Sequence, residues 1–293
     1  MHNEPQNNVG LLGATSLVGE CLLSQLKQNN CHITTFSRQI IKQNDNQITW
    51  HQLVNTKNVT QKTIPLWICV APIWTLPDHF NLLLAHGAQR IVVLSSTSRF
   101  TKNNSSDPAE QLTAQRLQES EAHIRKWAMA NGINWIILRP TLIYGLGRDK
   151  NITEITRFIQ RFGFFPLFGP AKGLRQPIHA EDVATICFNA LFSSDITNQA
   201  YNLTGGETLP YRDMVNKVFA ALHRTPRLVT IPRWFFRLAI RCVCWLPRYR
   251  HWTTAMAERM NTDLVFDCAE AKQDFNFSPR IFKLEPKDLP LKT

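Results

Sequence analysis

Four consecutive hydroxyl residues, 95–98, begin with Ser95, Ser96 and Thr97 and follow the segment 90–94, whose last four residues are apolar. Such a run is typical of a buried strand, and ligands bind at the carboxyl ends of strands in open α/β sheets. Because a serine or threonine without a base is a poor acid near neutral pH, we expect Ser96 and Thr97 to orient a substrate carbonyl rather than to transfer a proton. The alternative is that these hydroxyls only cap the next turn.

Tyr144 is a second candidate for chemistry, because it comes soon after the next predicted strand, 133–138. Its ring could reach the same cleft, where a phenol could donate a proton. The alternative is that the Tyr144 hydroxyl only makes a structural hydrogen bond at the boundary between two lobes.

We interpret His179 as a packed side chain and Asp182 as a first-turn acid of a helix. The sequence contains no His, Cys and Asp cluster with the spacing of metal ligands.

The stretch 9–19 predicts a strand, a tight turn and a helix. Gly13 would allow the sharp turn, and Gly19 would let the helix approach the strand. The free N–H groups at the start of such a helix bind anions, and this geometry holds a dinucleotide pyrophosphate. Ser16 stands where a middle glycine is expected, but its hydroxyl can donate to a phosphate. The alternative is a βα turn that binds nothing.

The end of the second predicted strand, 31–36, bears on the choice of cofactor. An acid at this position favours NAD, whereas Ser37 and Arg38 could hold the 2′-phosphate of NADP. We therefore predict NADP rather than NAD. The alternative is that Arg38 is a solvated loop cation.

Strands and helices alternate up to about residue 145, and the strands are continuous apolar runs. We therefore predict a Rossmann-like, doubly wound parallel sheet that is covered on both faces. Residues 1–150 would form this domain, and residues 151–293 a smaller, mainly helical lobe from which some segments return to the sheet. Predicted helices of the lobe span 153–162, 180–192, 211–222, 233–246 and 253–260.

Composition narrows the classes of protein to consider. The formal net charge is +11, which suits nucleic acid, anionic lipid or an anionic substrate. No nucleic-acid recognition motif accompanies the charge, so we expect no nucleic-acid partner. Seven scattered cysteines and a polar beginning of the chain predict reduced thiols and a cytoplasmic protein.

The segment 232–252 is basic and aromatic, and Arg233, Arg237 and Arg241 recur every four residues along it. One interpretation is a lobe helix that buries its apolar sides against the core. The other is an interfacial helix on an anionic membrane surface, with Trp234 and Phe235 inserted.

The motifs, in this order, resemble the extended short-chain dehydrogenase/reductase family of nucleotide-sugar epimerases and dehydratases. Four stretches carry the resemblance: 13–19, 93–98, 138–145, and 173–183 followed by 201–207. It implies an NAD(P) site, an active-site Ser/Thr within 95–98, and contact of Arg175 with a substrate diphosphate. It also suggests a homodimer through helices near 80–86 and 109–130.

One departure from the family concerns its catalytic Tyr and Lys, four residues apart at the start of the helix after the Ser/Thr strand. Leu112 stands about where the tyrosine would be, and Arg116 about where the lysine would be. Leucine cannot transfer a proton, although arginine can supply charge and bind ribose hydroxyls. The chain is therefore expected to be an atypical member of the family.

Two functions follow as expectations. The first is an NAD(P)-dependent oxidoreductase or epimerase acting on a nucleotide-linked or lipid-linked sugar, with Ser96, Thr97 and Tyr144 as catalytic candidates and Ser96 and Arg175 binding substrate. The second is a catalytically inactive dinucleotide-binding scaffold or assembly subunit. The predicted cofactor-binding residues are Gly10, Gly13, Thr15, Ser16, Leu17, Val18, Ser37, Arg38, Val70, Ala71, Pro72, Ser95, Arg116, Pro140 and Thr141.

Overall fold

The computed structural model describes residues 8–41, 45–53, 63–103, 105–232 and 258–290. Its strands are β1 (Asn8–Leu12), β2 (His32–Ser37), β3 (Ile48–Gln52), β4 (Leu66–Cys69), β5 (Arg90–Leu94), β6 (Asn134–Pro140), β7 (Ile143–Tyr144), β8 (Phe165–Phe168), β9 (Leu174–Arg175), β10 (Ile178–His179), β11 (Gln199–Leu203), β12 (Leu209–Pro210) and β13 (Leu228–Ile231). Its helices are α1 (Leu17–Gln28), α2 (Phe80–Ala85), α3 (Ser98–Thr101), α4 (Pro108–Ala130), α5 (Ile152–Phe162), α6 (Ala180–Phe192), α7 (Tyr211–Ala221) and α8 (Ala269–Phe275).

A seven-stranded sheet in the order β11-β6-β5-β4-β1-β2-β3 forms the centre of the molecule. All of its neighbouring strands are parallel; Val9 of β1, for example, lies opposite Ile33 of β2 and Leu66 of β4. The strand order reverses between β1 and β4, and the carboxyl ends of strands at such a switch point form a ligand-binding crevice. The predicted fold class is confirmed.

Both faces of the sheet are covered, which explains why its strands are apolar without alternation. Successive side chains of a strand point to opposite faces, so Leu11 packs with α1 and α6 while Leu12 packs with α2 and α4. Two segments from the second half of the chain, α6 and β11, join this large layer.

A second hydrophobic cluster lies among α5, α7 and the short strand β8. Besides the helices, this part of the chain contains short strand pairs, because β8 pairs with β13 and β9 pairs with β12. These strands are only two to four residues long. Runs this short are too brief to show a strand period in the sequence.

Predicted helix positions agree closely where the pattern is long. α6 has the predicted bounds, whereas α2 is shorter than predicted and is preceded by a 3-10 helix, Ile73–His79, that contains Pro77. The predicted helix 233–246 and most of the predicted helix 253–260 lie outside the described residues. Among the helices that are described, none is long and apolar enough to cross a membrane.

Candidate functional site

The turn between β1 and α1 is pressed against the end of β4. Gly13 has φ +89°, and a Cβ there would lie 2.4 Å from the backbone nitrogen of Ala71. A Cβ on Gly19 would lie 2.2 Å from the carbonyl oxygen of Gly13. Real Cβ atoms do not approach so closely, so both positions require glycine, for the two reasons expected from the sequence. Gly10 differs, because it makes room in β1 for the Trp67 ring and does not form part of the turn.

Ser16 caps the amino end of α1. Its Oγ accepts a hydrogen bond of 3.1 Å from Gly19 N–H, which leaves the hydroxyl hydrogen free to donate. The N–H groups of Leu17 and Val18 have no intrahelical partner, because they stand in the first turn. Together with the exposed Thr15, these groups form a cradle that fits an anionic pyrophosphate.

Arg148 lies at the rim of this cradle. It forms an ion pair with Glu20, in the first turn of α1, and its Nη2 lies 3.4 Å from the carbonyl oxygen of Thr15. Sequence analysis missed Arg148, which stands more than a hundred residues after the turn and has no local motif.

The other predicted cofactor residues lie along the same edge of the sheet. Val70, Ala71 and Pro72 follow β4 at the switch point, where Val70 N–H donates to the carbonyl of Leu12 over 2.9 Å. Ser37 ends β2, and the exposed Arg38 follows it. No carboxylate of a described residue forms an ion pair with the Arg38 guanidinium, which leaves it available to a ligand.

The three hydroxyls after β5 have different partners. Ser95 Oγ donates to Glu121 Oε1 over 2.6 Å, and Thr97 Oγ1 donates to the carbonyl of Pro140 over 3.2 Å. Ser96 Oγ instead accepts from Ser98 N–H over 3.1 Å, so its hydrogen is uncommitted. The hydroxyls of Ser95 and Thr97 are therefore used within the protein. Ser96 stabilises the turn through its oxygen and can also donate its hydrogen to a ligand.

Glu121 is a fully buried carboxylate between α4 and the sheet. Arg139 of β6 donates to both of its oxygens, at 3.0 Å from Nε and 2.7 Å from Nη2, and Arg99 Nη1 lies 3.3 Å away. A buried ion needs such partners, so this network fixes α4 against the ends of β5 and β6. Sequence analysis also missed this acid, which looks like any other charge on a long helix.

The buried face of α4 runs through Ala114, Leu117 and Glu121, at helical spacing. Leu112 and Arg116 lie off this face and are exposed. The expectation that Arg116 takes the place of the family's lysine, and thereby binds cofactor, is therefore corrected. Neither tyrosine nor lysine occupies the sheet-facing positions in the first half of α4.

Tyr144 is wholly buried. Its ring packs edge-on against His179 and Phe282, with centroids 5.0 and 4.8 Å apart, and its hydroxyl lies 3.4 Å from the carbonyl of Lys283. Burial raises the pKa of Tyr144 to about 12. The prediction that its ring reaches the cleft is wrong, because the β7–β10 pairing turns the ring into the lobe core.

His179 is packed at the junction before α6. Its Nε2 lies 3.0 Å from Asp288 Oδ1, and its Nδ1 accepts from Glu181 N–H over 3.2 Å. This pattern assigns the neutral tautomer with hydrogen on Nε2. Asp182, in the first turn of α6, pairs with Arg280 over 2.8 Å. Both residues serve packing, in line with their interpretation from the sequence.

A cleft of about 430 Å³ opens between the ends of β5 and β6 and the smaller lobe. Residues that line it include Ser96, Thr97, Pro140, Thr141, Lys102, Arg175, Tyr211, Arg259 and Phe266. No aspartate or glutamate is among the described residues that line it. The cleft thus brings together the predicted hydroxyls, the segment Pro140–Thr141 and the predicted substrate arginine.

Arg175 is the most deeply buried cation of the cleft, with 5% of its surface exposed. Its Nη1 donates to the carbonyls of Leu174 and Thr262, over 2.7 and 2.8 Å, and its Nη2 donates to the carbonyl of Arg259. No carboxylate of a described residue forms an ion pair with it. Burial lowers the pKa of Arg175 to about 10, so the group remains charged at neutral pH.

Two further cations enter the cleft, and the sequence did not point to either. Arg259 pairs with Glu110 of α4, and Lys102 Nζ lies 3.5 Å from the same carboxylate. The Glu110 carboxylate therefore contacts two cations, and Arg175 adds a third positive charge.

Among the described residues, no group of three or more His, Cys, Asp or Glu side chains could hold a metal ion.

Comparisons with known proteins agree with this architecture. The family model for the NAD-dependent epimerase/dehydratase family matches residues 80–204. The chain is 24% identical over 221 residues to a 2-alkyl-3-oxoalkanoate reductase of Stenotrophomonas maltophilia, covering 67% of this chain and 66% of that protein. It is 22% identical over 124 residues to a UDP-glucose 4-epimerase of Vibrio cholerae, covering 42% and 38%. The chain spans about half the length of the curated relatives that it matches.

A solved UDP-glucose 4-epimerase of Thermotoga maritima, crystallised with UDP-glucose, has a similar fold. The TM-score is 0.68, the sequence identity is 12%, and 94% of each chain is covered. This likeness extends to both the large sheet and the smaller lobe.

Proposed function

We propose that this chain, whose residues 80–204 match the model of the NAD-dependent epimerase/dehydratase family, binds a nicotinamide dinucleotide and oxidises or reduces a sugar that is linked to a diphosphate. The single observation that carries the proposal is the buried charge of Arg175, which has no carboxylate partner among the described residues and lines a cleft free of acids. A buried cation without a counter-ion is costly, and an anionic ligand would offset that cost.

The charge of the cleft supports a diphosphate. Arg175, Arg259 and Lys102 contribute three positive charges, and Glu110 compensates one of them. The remaining two charges match the two ionised phosphoryl groups of a diphosphate diester such as UDP-glucose. The guanidinium of Arg175 has five N–H donors, three of which are used by carbonyls, so two are left for phosphoryl oxygens.

The cofactor would lie across the switch point. The cradle of Gly13, Ser16, Leu17 and Val18 fits a pyrophosphate, and Arg148 would face it from the rim. NADP, rather than NAD, is the finer proposal, supported by Ser37 and the unpaired Arg38 at the end of β2. When bound, the nicotinamide supplies or accepts hydride.

Ser96 would orient the reacting carbonyl of the sugar. Its hydroxyl hydrogen is uncommitted, whereas those of Ser95 and Thr97 are donated within the protein. A serine hydroxyl polarises a carbonyl through a hydrogen bond and is a poor proton donor. Turnover is therefore expected to be slow compared with a relative that has the tyrosine and lysine pair.

The experiment is a calorimetric titration of the purified chain with UDP-glucose, followed by a fluorescence assay for reduced nicotinamide. We expect binding that weakens with salt and that is lost in Arg175→Leu. Arg161→Leu is the matched control, since Arg161 is an exposed arginine of α5 outside the cleft. A wild-type chain that binds no diphosphate ester would contradict the proposal.

A dinucleotide-loaded scaffold without turnover is the second candidate. The observation that favours it is the buried side of the first half of α4, where Ala114 and Leu117 stand and neither a tyrosine nor a lysine is present. Binding of cofactor and of UDP-glucose, with no transfer of hydride in a panel of nucleotide sugars, would favour this candidate over the enzyme.

Two interactions stay as proposals from the sequence. The segment 232–252 would rest on an anionic membrane, which would suit a lipid-linked sugar; nearly all of it lies outside the described residues. Flotation with anionic liposomes tests this membrane binding, and Trp234→Asp with Phe235→Asp should abolish it.

The second interaction is a homodimer through α2 and α4, which is tested by light scattering.

A further inference from the structure

Three of the four tyrosines lie within the described residues, and their hydroxyls have different surroundings. Tyr144 is buried in the lobe core beside the carbonyl of Lys283, and Tyr201 donates to Asp274 over 2.5 Å. Tyr211, the first residue of α7, lines the cleft instead. Its hydroxyl makes no hydrogen bond to any described residue.

The ring of Tyr211 is held in place by the cations of the cleft. The Arg175 guanidinium carbon lies 5.5 Å from the centre of the ring, a distance at which a cation and an aromatic face attract each other. Arg175 and Arg259 both act electrostatically on the phenol, and both lower its pKa. Burial is the larger influence and raises the pKa of Tyr211 to about 12, so the group is a neutral hydrogen-bond donor at physiological pH.

A phenol donor beside the Arg175 guanidinium is suited to an anionic oxygen. The Arg175 side chain cannot move away, because three backbone carbonyls hold it, and its ring partner is therefore fixed as well. Charged acceptors make the strongest hydrogen bonds with such donors. A neutral acceptor would leave the charge of Arg175, which pairs with no carboxylate of a described residue, uncompensated.

We propose that Tyr211 is a substrate-binding residue that donates its hydroxyl to a phosphoryl oxygen of a diphosphate ester, beside Arg175 and Arg259. The inference rests on the proposed function and deepens it, since it assigns to this chain a phosphate contact that sequence analysis did not foresee. Tyr211 then discriminates between diphosphate and uncharged sugar ligands, and it is a binding residue rather than a proton donor in the redox step.

The test is calorimetric titration of the full chain with UDP and, separately, with NADH. Tyr211→Phe removes only the hydroxyl and keeps the ring beneath Arg175. A hydrogen bond to a charged group corresponds to about ten-fold or more in affinity, so we expect the Kd for UDP to rise by about that factor in Tyr211→Phe. The Kd for NADH should stay within two-fold of wild type. Tyr144→Phe is the matched control, which loses a hydroxyl outside the cleft and should bind UDP as wild type does.

The outcomes separate the two claims. UDP binding by Tyr211→Phe that equals wild-type binding overturns the role of Tyr211 and leaves the proposed function standing. A wild-type chain that binds NADH but no UDP overturns the diphosphate substrate itself. A melting curve with and without UDP provides a second measurement: the wild type should gain thermal stability from UDP, and the folded Tyr211→Phe variant should gain less.

Discussion

Arg139 holds Glu121 by hydrogen bonds from Nε and Nη2, the shortest being 2.7 Å, at a place where the carboxylate is fully shielded from water. The pair joins the middle of α4 to the end of β6, next to the Ser95 hydroxyl. It therefore supports the floor of the cleft without taking part in binding. Removal of the Glu121 carboxylate should therefore lower the stability of the protein more than its affinity for ligands.

Glu121→Ala is expected to lower the free energy of unfolding by about 3–5 kcal/mol, because it leaves Arg139 buried without a counter-ion. Urea denaturation measures this change. Glu119→Ala is the control, since Glu119 is an exposed residue of the same helix whose partner is Gln115. That control should change stability by about 0.5 kcal/mol or less. Equal effects of both substitutions would show that the buried network has no special role.

Gly19→Ala should abolish dinucleotide binding, because the added Cβ would lie 2.2 Å from the Gly13 carbonyl oxygen and force the turn open. Gly163→Ala is the control: Gly163 ends α5 with φ +77°, and a Cβ there meets nothing within 4 Å. Quenching of tryptophan fluorescence by NADH measures both variants. Wild-type affinity in Gly19→Ala would contradict the geometry of the turn.

Asp288 links the end of the chain to α6 and should make stability depend on pH. Burial alone would raise the pKa of Asp288, but hydrogen bonds from His179, Glu285 N–H and Leu146 N–H outweigh it and hold the pKa below its usual range. Because the pKa of Asp288 is lower in the folded state, its ionised carboxylate stabilises the folded protein at pH values above the pKa of the unfolded state, which is about 4. This stabilisation is lost as the pH falls through the pKa of the folded state.

We therefore expect Asp288→Asn to lower the melting temperature at pH 7, and the difference from wild type to shrink as the pH falls below about 4. Thermal unfolding monitored by circular dichroism across this range checks it. The exposed Asp195 supplies the control variant, Asp195→Asn. A difference that is constant with pH would mean that the carboxylate charge is irrelevant.

Ser96→Ala should lower kcat while leaving the affinity for UDP nearly unchanged, because the hydroxyl would orient the carbonyl and not the phosphates. A loss of about ten-fold is expected for one hydrogen bond that acts in the reacting complex. Ser194→Ala is the control, since Ser194 is an exposed serine outside the cleft. Steady-state kinetics on the nucleotide sugar that turns over would decide it, and an unchanged kcat would remove Ser96 from the site.

The sequence predicts those parts of the fold whose signal is local and long enough to read. The bounds of β5 and α6 agree with the prediction residue for residue, and the glycine turn has the expected geometry. The expectation for Arg116 came from its position relative to the family's motif, whereas the buried face of α4 runs through Ala114, Leu117 and Glu121 and leaves Arg116 exposed.

The substrate side of the cleft was the least predictable part. Tyr144 and Tyr211 look alike in the sequence, yet one is buried in a core and the other lines the cleft. Arg148 and Arg259 reach the site from distant points in the chain, and no residue near either one signals the contact. These distant arginines come close to the site only because the lobe packs against the sheet.

The most direct test of the central claim is a fluorescence titration of the wild-type chain with NADH and NADPH, with Gly13→Asp as the comparison. We expect that a reduced dinucleotide binds, that NADPH binds more tightly, and that Gly13→Asp loses binding because its carboxylate would occupy the anion cradle beside Ala71. If neither dinucleotide binds the folded wild-type chain, Ser16 closes the cradle and the proposed redox function is wrong.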